Sequence, residues 1–118
     1  MPNPTLIKNY IGKTQMRENT FVKISLDENQ VELSNIQGGA VFGATTFVPL
    51  KTAMARVDII HAGIAAMRAG AAVNRGAEVS SDAQGRAITK PTTGTPSVAG
   101  IALEKATAAE DIIDVLLK

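Results

Sequence analysis

The sequence has 118 residues, 45% of them hydrophobic, with 12 basic and 11 acidic side chains and no cysteine. The charges are balanced and scattered, which argues against nucleic acid as a partner, and no apolar run approaches the roughly 18 residues of a membrane-spanning helix. The lack of cysteine excludes disulfides, thiolate catalysis and cysteine-ligated metals. It also fits synthesis in a reducing cytoplasm. The length suits one domain, and the first ten residues lack the pattern of a signal peptide.

Large core-forming side chains are few. Alanine accounts for 18 of the hydrophobic residues, and the aromatic residues are Tyr10, Phe21, Phe42 and Phe47. Aromatic side chains usually dominate the energetics of a core. We therefore expect part of the stability of this protein to come from association with other chains.

Residues 1–19 are predicted to form an extended N-terminal arm, because Pro2 and Pro4 disfavour helix and favour an extended backbone. An apolar cluster follows the two prolines, and it consists of Leu6, Ile7, Tyr10 and Ile11. One interpretation is a segment that docks on a neighbouring chain. A second is the first strand of the chain's own domain, and a third is disorder.

Residues 20–60 are predicted to form short strands separated by turns. Apolar side chains alternate along residues 20–26, which is the period of a half-buried strand. A polar turn that opens at Asp27 leads to a partner strand. Gly43, within the next strand, indicates a bulge or a close backbone approach, and a further strand is predicted over residues 56–60.

Residues 61–70 fit two structures. Ile60, Ile64 and Met67 have the spacing of one face of a helix. Gly63 opposes a helix, because glycine in a helix interior costs about 1 kcal/mol relative to alanine. Alternation fits a strand about as well, and we favour the strand.

The remaining residues predict a hairpin over 77–90, with a polar turn at Asp82–Gly85. A loop of proline, glycine and threonine over 91–96 and a strand over 97–103 follow. The final run, residues 112–117, is almost entirely apolar, and such runs are typical of strands that are buried on both faces. Many short strands with a turn about every eight to twelve residues predict a mainly β fold, a small barrel or sandwich.

The two parts of the chain resemble each other. Three blocks match in the same order at offsets of 55 to 57 residues, and they centre on Asp27 and Asp82, Gly43 and Gly100, and Asp58 and Asp114. Such self-similarity is typical of an internal duplication. The sequence therefore predicts a single β-rich domain over residues 20–118, built from two quasi-repeated halves, roughly 20–60 and 77–118.

No group of residues has the pattern of a catalytic, metal or cofactor-binding site. His61 is the single histidine and, beside Ile59 and Ile60, it is expected at a strand end or an interface. Asp27 and Asp82 are expected to accept hydrogen bonds from backbone amides of the turns that they open. We therefore predict no enzyme activity and no cofactor.

Carrier domains for lipoyl or biotin have a similar size and two similar halves. Their modified lysine lies at a hairpin tip between characteristic neighbours. The lysines that would be candidates here are Lys13, Lys51, Lys90 and Lys105. None of them has those neighbours, so this interpretation is disfavoured.

Two segments, AGAAVNRGAEVSSDAQGRAITK and VAGIALEKATAAEDIIDVLL, resemble the capsid decoration, or cement, proteins of tailed bacteriophages. The positions that carry the resemblance are Gly70, Gly76, Asp82, Gly85, Arg86, Gly100, Ala102, Leu103, Glu104, Ala106, Ile113 and Val115. The match is good over residues 56–118 and looser over 20–48. These are turn and strand positions, and none of them is a catalytic signature.

The resemblance implies a structural protein on the outer surface of the virion head, made in the host cytoplasm. It would bind the major capsid protein as a homotrimer and stabilise the capsid lattice, without nucleic acid, membrane or cofactor as partners. The alternative is a β-barrel binding module, such as a head-fibre base or a carbohydrate-binding domain. A carbohydrate site usually presents exposed aromatic side chains, and this chain has few.

Overall fold

A computed structural model describes residues 6–25, 27–46 and 48–117. These residues contain no helix that is long and apolar enough to cross a membrane. Their strands are β1 (Leu6–Gly12), β2 (Phe21–Ile24), β3 (Gln30–Leu33), β4 (Gly43–Thr45), β5 (Ala55–Arg68), β6 (Glu78–Ser81), β7 (Ala87–Thr89), β8 (Gly100–Ala102) and β9 (Ile112–Leu117). The prediction of a mainly β fold is confirmed.

The first five strands close a barrel. Its order is β1, β3, β2, β4 and β5, and β1 returns to pair with β5. The β1–β3 pair is parallel and the other pairs are antiparallel, so the barrel is mixed. A hydrophobic cluster fills it, and the buried members are Tyr10, Met16, Val22, Val31, Leu50, Val57 and Ile59.

The other strands extend this barrel as a second sheet, in the order β5, β9, β8, β6 and β7. All of its pairs are antiparallel, and a parallel bridge between Ala69 and Ala87 joins its two ends. Met67, Val79 and Val115 are buried in its core. Phe21 belongs to the same core although it comes from β2, so the first barrel and the second sheet pack against each other.

Strand β5 belongs to both parts. Its first half pairs with β1 and β4, and its second half pairs with β9. Residues 61–68 are therefore strand and not helix, as favoured from the sequence. The pairing with β9 extends from Gly63 to Arg68, and it uses backbone groups that a helix would bond internally.

The segment predicted to be an arm contains strand β1. Residues 6–12 pair with β5 along their length, and Ile11 and Gly12 also pair with β3. Further on, Met16 forms a bridge with Leu50. This arrangement corresponds to the interpretation in which the segment is the first strand of its own domain. Residues 1–5 lie outside the described residues.

The prediction that residues 112–117 are buried on both faces is wrong. Ile113, Val115 and Leu117 face the core, whereas Ile112 and Leu116 are 47% and 44% exposed. β9 lies in an antiparallel sheet that packs on the core with one face only, so its second face meets solvent.

The predicted close approach at Gly43 is confirmed. A Cβ atom at this position would lie 2.7 Å from the carbonyl oxygen of Ile60 on the paired strand β5. Gly100 lies in the same way against the backbone of Leu116. Both glycines allow neighbouring strands to approach where a side chain would not fit.

Candidate functional site

An apolar surface lies on the outer side of β1, β5, β9 and β8. The register places Leu6 opposite Ala62, Ile7 opposite Ile60, and Leu116 between Ile64 and Ile101. We call this set the apolar face: Leu6, Ile7, Ile60, Ala62, Ile64, Ile101 and Leu116. Exposed apolar patches of this kind are typical of surfaces that bind other proteins.

The residues predicted to dock on a neighbour divide into two groups. Leu6 and Ile7 are 61% and 49% exposed and lie on the apolar face. Tyr10 is buried in the first barrel, and Ile11 is half-buried opposite Arg56. The register of β1 against β5 shifts between Leu6 and Ile7, and this irregularity leaves both side chains outside. The structure thus brings two of the four residues to the surface.

The sequence interpretation missed Ile101 and Leu116. Both were assigned to predicted strands, but Leu116 was expected to be buried. A signal was present, because Asp114 lies two residues before Leu116 and is exposed on the same side of β9. A charged residue at an alternating position indicates the solvent face of a strand.

A second cluster is ionic. Its members are Arg17, Glu18, Arg68, Asp82, Arg86 and Glu110. They come from the segment before β2, the end of β5, the β6–β7 hairpin and the turn before β9. Positive and negative charges balance within the cluster, so it has no net charge to attract a charged ligand.

Glu110 is the centre of this cluster. Its carboxylate accepts hydrogen bonds from Arg17 at 2.6 Å, Arg86 at 3.0 Å and Arg68 at 3.3 Å. The hydrogen bond from Arg17, followed by that from Arg86, lowers the pKa of Glu110 from 4.5 to about 2. Glu18 also accepts a hydrogen bond from Arg68. The cluster therefore fastens the segment before β2 to the second sheet.

The polar turn of the β6–β7 hairpin is held by Asp82, as predicted. Its Oδ1 accepts hydrogen bonds from the backbone N–H groups of Gln84 and Arg86, each at 2.8 Å. The carboxylate of Asp27 lies 3.4 Å from Lys13 Nζ, and backbone hydrogen bonds to it stay a prediction. This ion pair connects the β2–β3 turn to the residue after β1.

His61 is part of a packed aromatic group. Its Nε2 is 2.7 Å from the hydroxyl of Tyr10, its Nδ1 is 3.3 Å from the carbonyl oxygen of Phe42, and the three rings pack edge to face. His61 lies within β5 and not at a strand end, where its ring closes the first barrel beside Tyr10. In the part of the chain that the structure describes, no three His, Cys, Asp or Glu residues could hold a metal ion.

An apolar groove of about 350 Å³ opens beside the end of β2. Its lining consists of Lys23, Ile24, Ser34, Ile36, Gly39, Ala40, Val41 and Phe42. Ile24 and Ile36 are 64% and 61% exposed. The groove is open to solvent and lies apart from the strands that form the apolar face.

Two comparisons, with protein families and with solved structures, relate this chain to proteins of phage heads. The family model of phage cement proteins matches residues 31–117, which is most of the chain. The structure is similar to the crystal structure of the head fiber gp8.5 N base in bacteriophage phi29, with a TM-score of 0.72, 14% sequence identity, and coverage of 98% of this chain and 95% of that chain. At this identity the similarity shows the fold alone.

No curated protein matches the chain. The matched residues include β3 except for its first residue, and the whole of β4 to β9. The chain therefore belongs to the phage cement protein family and is a structural, non-enzymatic protein of the phage capsid.

Proposed function

We propose that this protein decorates the outer surface of the phage head, where it binds the major capsid protein and stabilises the assembled lattice. The observation that carries the proposal is the apolar face, with Leu6, Ile7, Ile101 and Leu116 between 42% and 61% exposed. Removing apolar surface from water stabilises an association by roughly 25 cal/mol per Å². A lattice that binds only the folded protein would also stabilise it by mass action.

Leu6 and Ile7 are the proposed docking residues. They lie at the start of β1, whose backbone is paired to β5 on one edge along its length and to β3 only at its end. The edge of β1 near Leu6, which pairs with none of the described residues, can add a strand from the capsid. Tyr10 and Ile11 act indirectly, because they anchor β1 in the first barrel.

We infer that the chain contains two copies of one five-stranded unit, residues 6–60 and 63–117. Pairs in the first barrel recur 56 or 57 residues later in the second sheet, and they include Tyr10–Val57 with Met67–Ile113, Phe21–Ala44 with Glu78–Ile101, and Met16–Leu50 with Val73–Ala106. The halves begin earlier than the 20 and 77 expected from the sequence, because the first strand of each unit is β1 or the second half of β5.

We further propose that the protein is a homotrimer on the capsid. The core holds few large side chains. Half of the buried residues in the cluster of the second sheet are alanines: Ala44, Ala65, Ala69, Ala87, Ala99, Ala102 and Ala106. A core of small side chains buries less apolar area per residue. Association between copies would supply the remaining stability.

The docking surface is tested by measuring how tightly the Leu6→Glu variant binds to capsids. A charge at this position would have to be buried against the capsid, so we expect at least a tenfold loss of affinity in co-sedimentation with expanded heads that lack the protein. Leu6 is exposed, so the variant should keep the wild-type circular dichroism. The matched control is Met54→Glu, since Met54 is 57% exposed in the turn before β5, outside the apolar face.

Two results would contradict this proposal. Wild-type protein that does not sediment with heads would remove the capsid-binding function. Equal loss of binding in Leu6→Glu and Met54→Glu would remove the apolar face as its site. Deletion of residues 2–11 is a poorer test, because it removes most of β1 and with it one wall of the first barrel.

A head-fibre base is the second candidate function, and the similarity of fold to the phi29 head fiber base favours it. Electron microscopy of particles that carry the protein separates the two functions. A cement protein covers repeated positions of the capsid lattice. A fibre base marks the places from which fibres project.

A further inference from the structure

The first barrel inserts a loop into the second sheet. Gly38 donates its N–H to the carbonyl of Ser81, and its carbonyl accepts the N–H of Ser97, each at 2.8 Å. Gly38 has a φ of 71°, and a Cβ atom here would lie 2.9 Å from the Cβ of Pro96. The loop therefore fills a slot between the end of β6 and the segment that leads to β8.

The first barrel has the same slot. Ile24 pairs with Val31 as Ser81 pairs with Ala87. Phe42 donates its N–H to the carbonyl of Val22, just as Ala99 donates to Val79. Ala40 lies two residues before Phe42, as Ser97 lies two before Ala99, so Ile24 and Ala40 are the two walls of this slot.

This slot is the apolar groove, and the described residues leave it open. Ile24 and Ala40 both line the groove. Neither the carbonyl of Ile24 nor the N–H of Ala40 bonds to any residue that the structure describes. Exposed, unpaired backbone groups beside apolar walls form a site that an extended loop can complete.

The second sheet also has the matching loop. Gly94 has a φ of 74°, like Gly38, and precedes β8 as Gly38 precedes β4. Thr92, Thr93 and Thr95 around it are exposed. Apart from its chain neighbours, no described atom lies within 4 Å of a Cβ built on Gly94, so the tip of this loop is open to solvent.

We propose that the Gly94 loop of one copy of this chain inserts into the Ile24–Ala40 groove of the next copy. Gly94 would donate its N–H to the carbonyl of Ile24 and accept the N–H of Ala40, repeating the contact that Gly38 makes within the chain. The methyl groups of Thr92, Thr93 and Thr95 suit the apolar walls. This inference rests on the repeated unit and on the homo-oligomer in the proposed function.

The contact is heterologous, because loop and groove are different surfaces of the molecule. Heterologous contacts form a closed ring when the rotation between neighbours closes. In a ring of three copies every groove and every Gly94 loop would be occupied. Contacts within a chain and contacts between chains would then alternate around the ring.

Cross-linking between two single-cysteine proteins tests the contact, since the chain has no cysteine of its own. Thr95 corresponds to Gly39 in the loop that is already inserted, so Ala40→Cys protein is mixed with Thr95→Cys protein under oxidising conditions. We expect at least tenfold more covalent heterodimer than from Thr95→Cys with Ala109→Cys, where Ala109 is exposed outside loop and groove. All three changed side chains are exposed, so the variants should fold.

Sedimentation velocity supplies the second measurement. Ile24→Glu places a charge in the groove, and we expect it to lower the self-association constant at least tenfold, with Met54→Glu as the control. No more cross-linking than in the control pair overturns the inference, and so does wild-type protein that stays monomeric. Capsid co-sedimentation is measured separately, so the proposed function can survive this failure.

Discussion

Glu110 shows how one residue can connect distant parts of this chain. Its backbone has a φ of 75° in the turn before β9, and its carboxylate receives three arginines from three different segments. The hydrogen bonds favour the ionised carboxylate, which is why its pKa falls to about 2. The first barrel and the second sheet are held together here by charge and not by apolar contact.

Replacing Glu110 by glutamine should lower thermal stability at neutral pH. The pKa of Glu110 is lower in the folded protein than its ordinary 4.5. Its contribution is therefore present above the unfolded pKa and is lost as the pH falls toward about 2. Melting curves of wild type and Glu110→Gln should converge as the pH falls through this window. Glu28→Gln, at an exposed turn residue, is the control, and a pH-independent difference would argue against the ionic role.

At Gly100, glycine is required by the close approach of a paired strand and not by local flexibility. Gly100 lies where β8 passes β9, and a Cβ atom would meet the side chain of Val115 at 2.9 Å as well as the backbone of Leu116. Backbone in the middle of a sheet cannot move aside as the end of a flexible side chain can. Gly76 differs, because no described atom lies within 4 Å of its Cβ position and only its φ of 87° favours glycine.

Gly100→Ala should therefore destabilise the fold more than Gly76→Ala. Overpacking a close approach typically costs about 1–3 kcal/mol, and we expect the upper end of that range for Gly100→Ala. The left-handed backbone at Gly76 costs alanine about 1–2 kcal/mol. Urea unfolding of the two variants measures both free energies, and equal losses would show that β8 can shift away from β9.

At the scale of the whole molecule, the first barrel and the second sheet are coupled. They share β5, Phe21 extends from the first into the core of the second, and the ionic cluster spans both. Phe21 is fully buried among residues of the second sheet. These connections predict that neither part unfolds before the other.

Phe21→Ala should lower the free energy of unfolding by about 3–5 kcal/mol, the usual cost of deleting a buried aromatic ring. The unfolding of both wild type and variant should remain a single transition. Tyr10, the one tyrosine, reports on the first barrel by fluorescence, while circular dichroism reports on all strands. Separate midpoints for the two signals would show that the two parts unfold independently.

The sequence predicts the strands because their signals are local. Alternation around Val22, the close approach at Gly43 and the turn at Asp82 each depend on a few adjacent residues. The surface is different, because Leu6, Leu116 and Ile101 come together only through the pairing of β1, β5, β9 and β8. The apolar run 112–117 alone gives no sign of which face is covered, and the one local sign, the charged Asp114 two residues before Leu116, is weaker than the run that surrounds it.

Strand β5 has a mechanical consequence. The passage from one half to the other is made inside this strand, where the pairing changes from β1 at Ala62 to β9 at Gly63, so the two halves are joined without a loop. Its 14 residues, at about 3.3 Å each, would extend roughly 45 Å if straight, and the longest dimension of the molecule is 38 Å. We therefore expect the two halves to move as one body, because no loop among the described residues separates them.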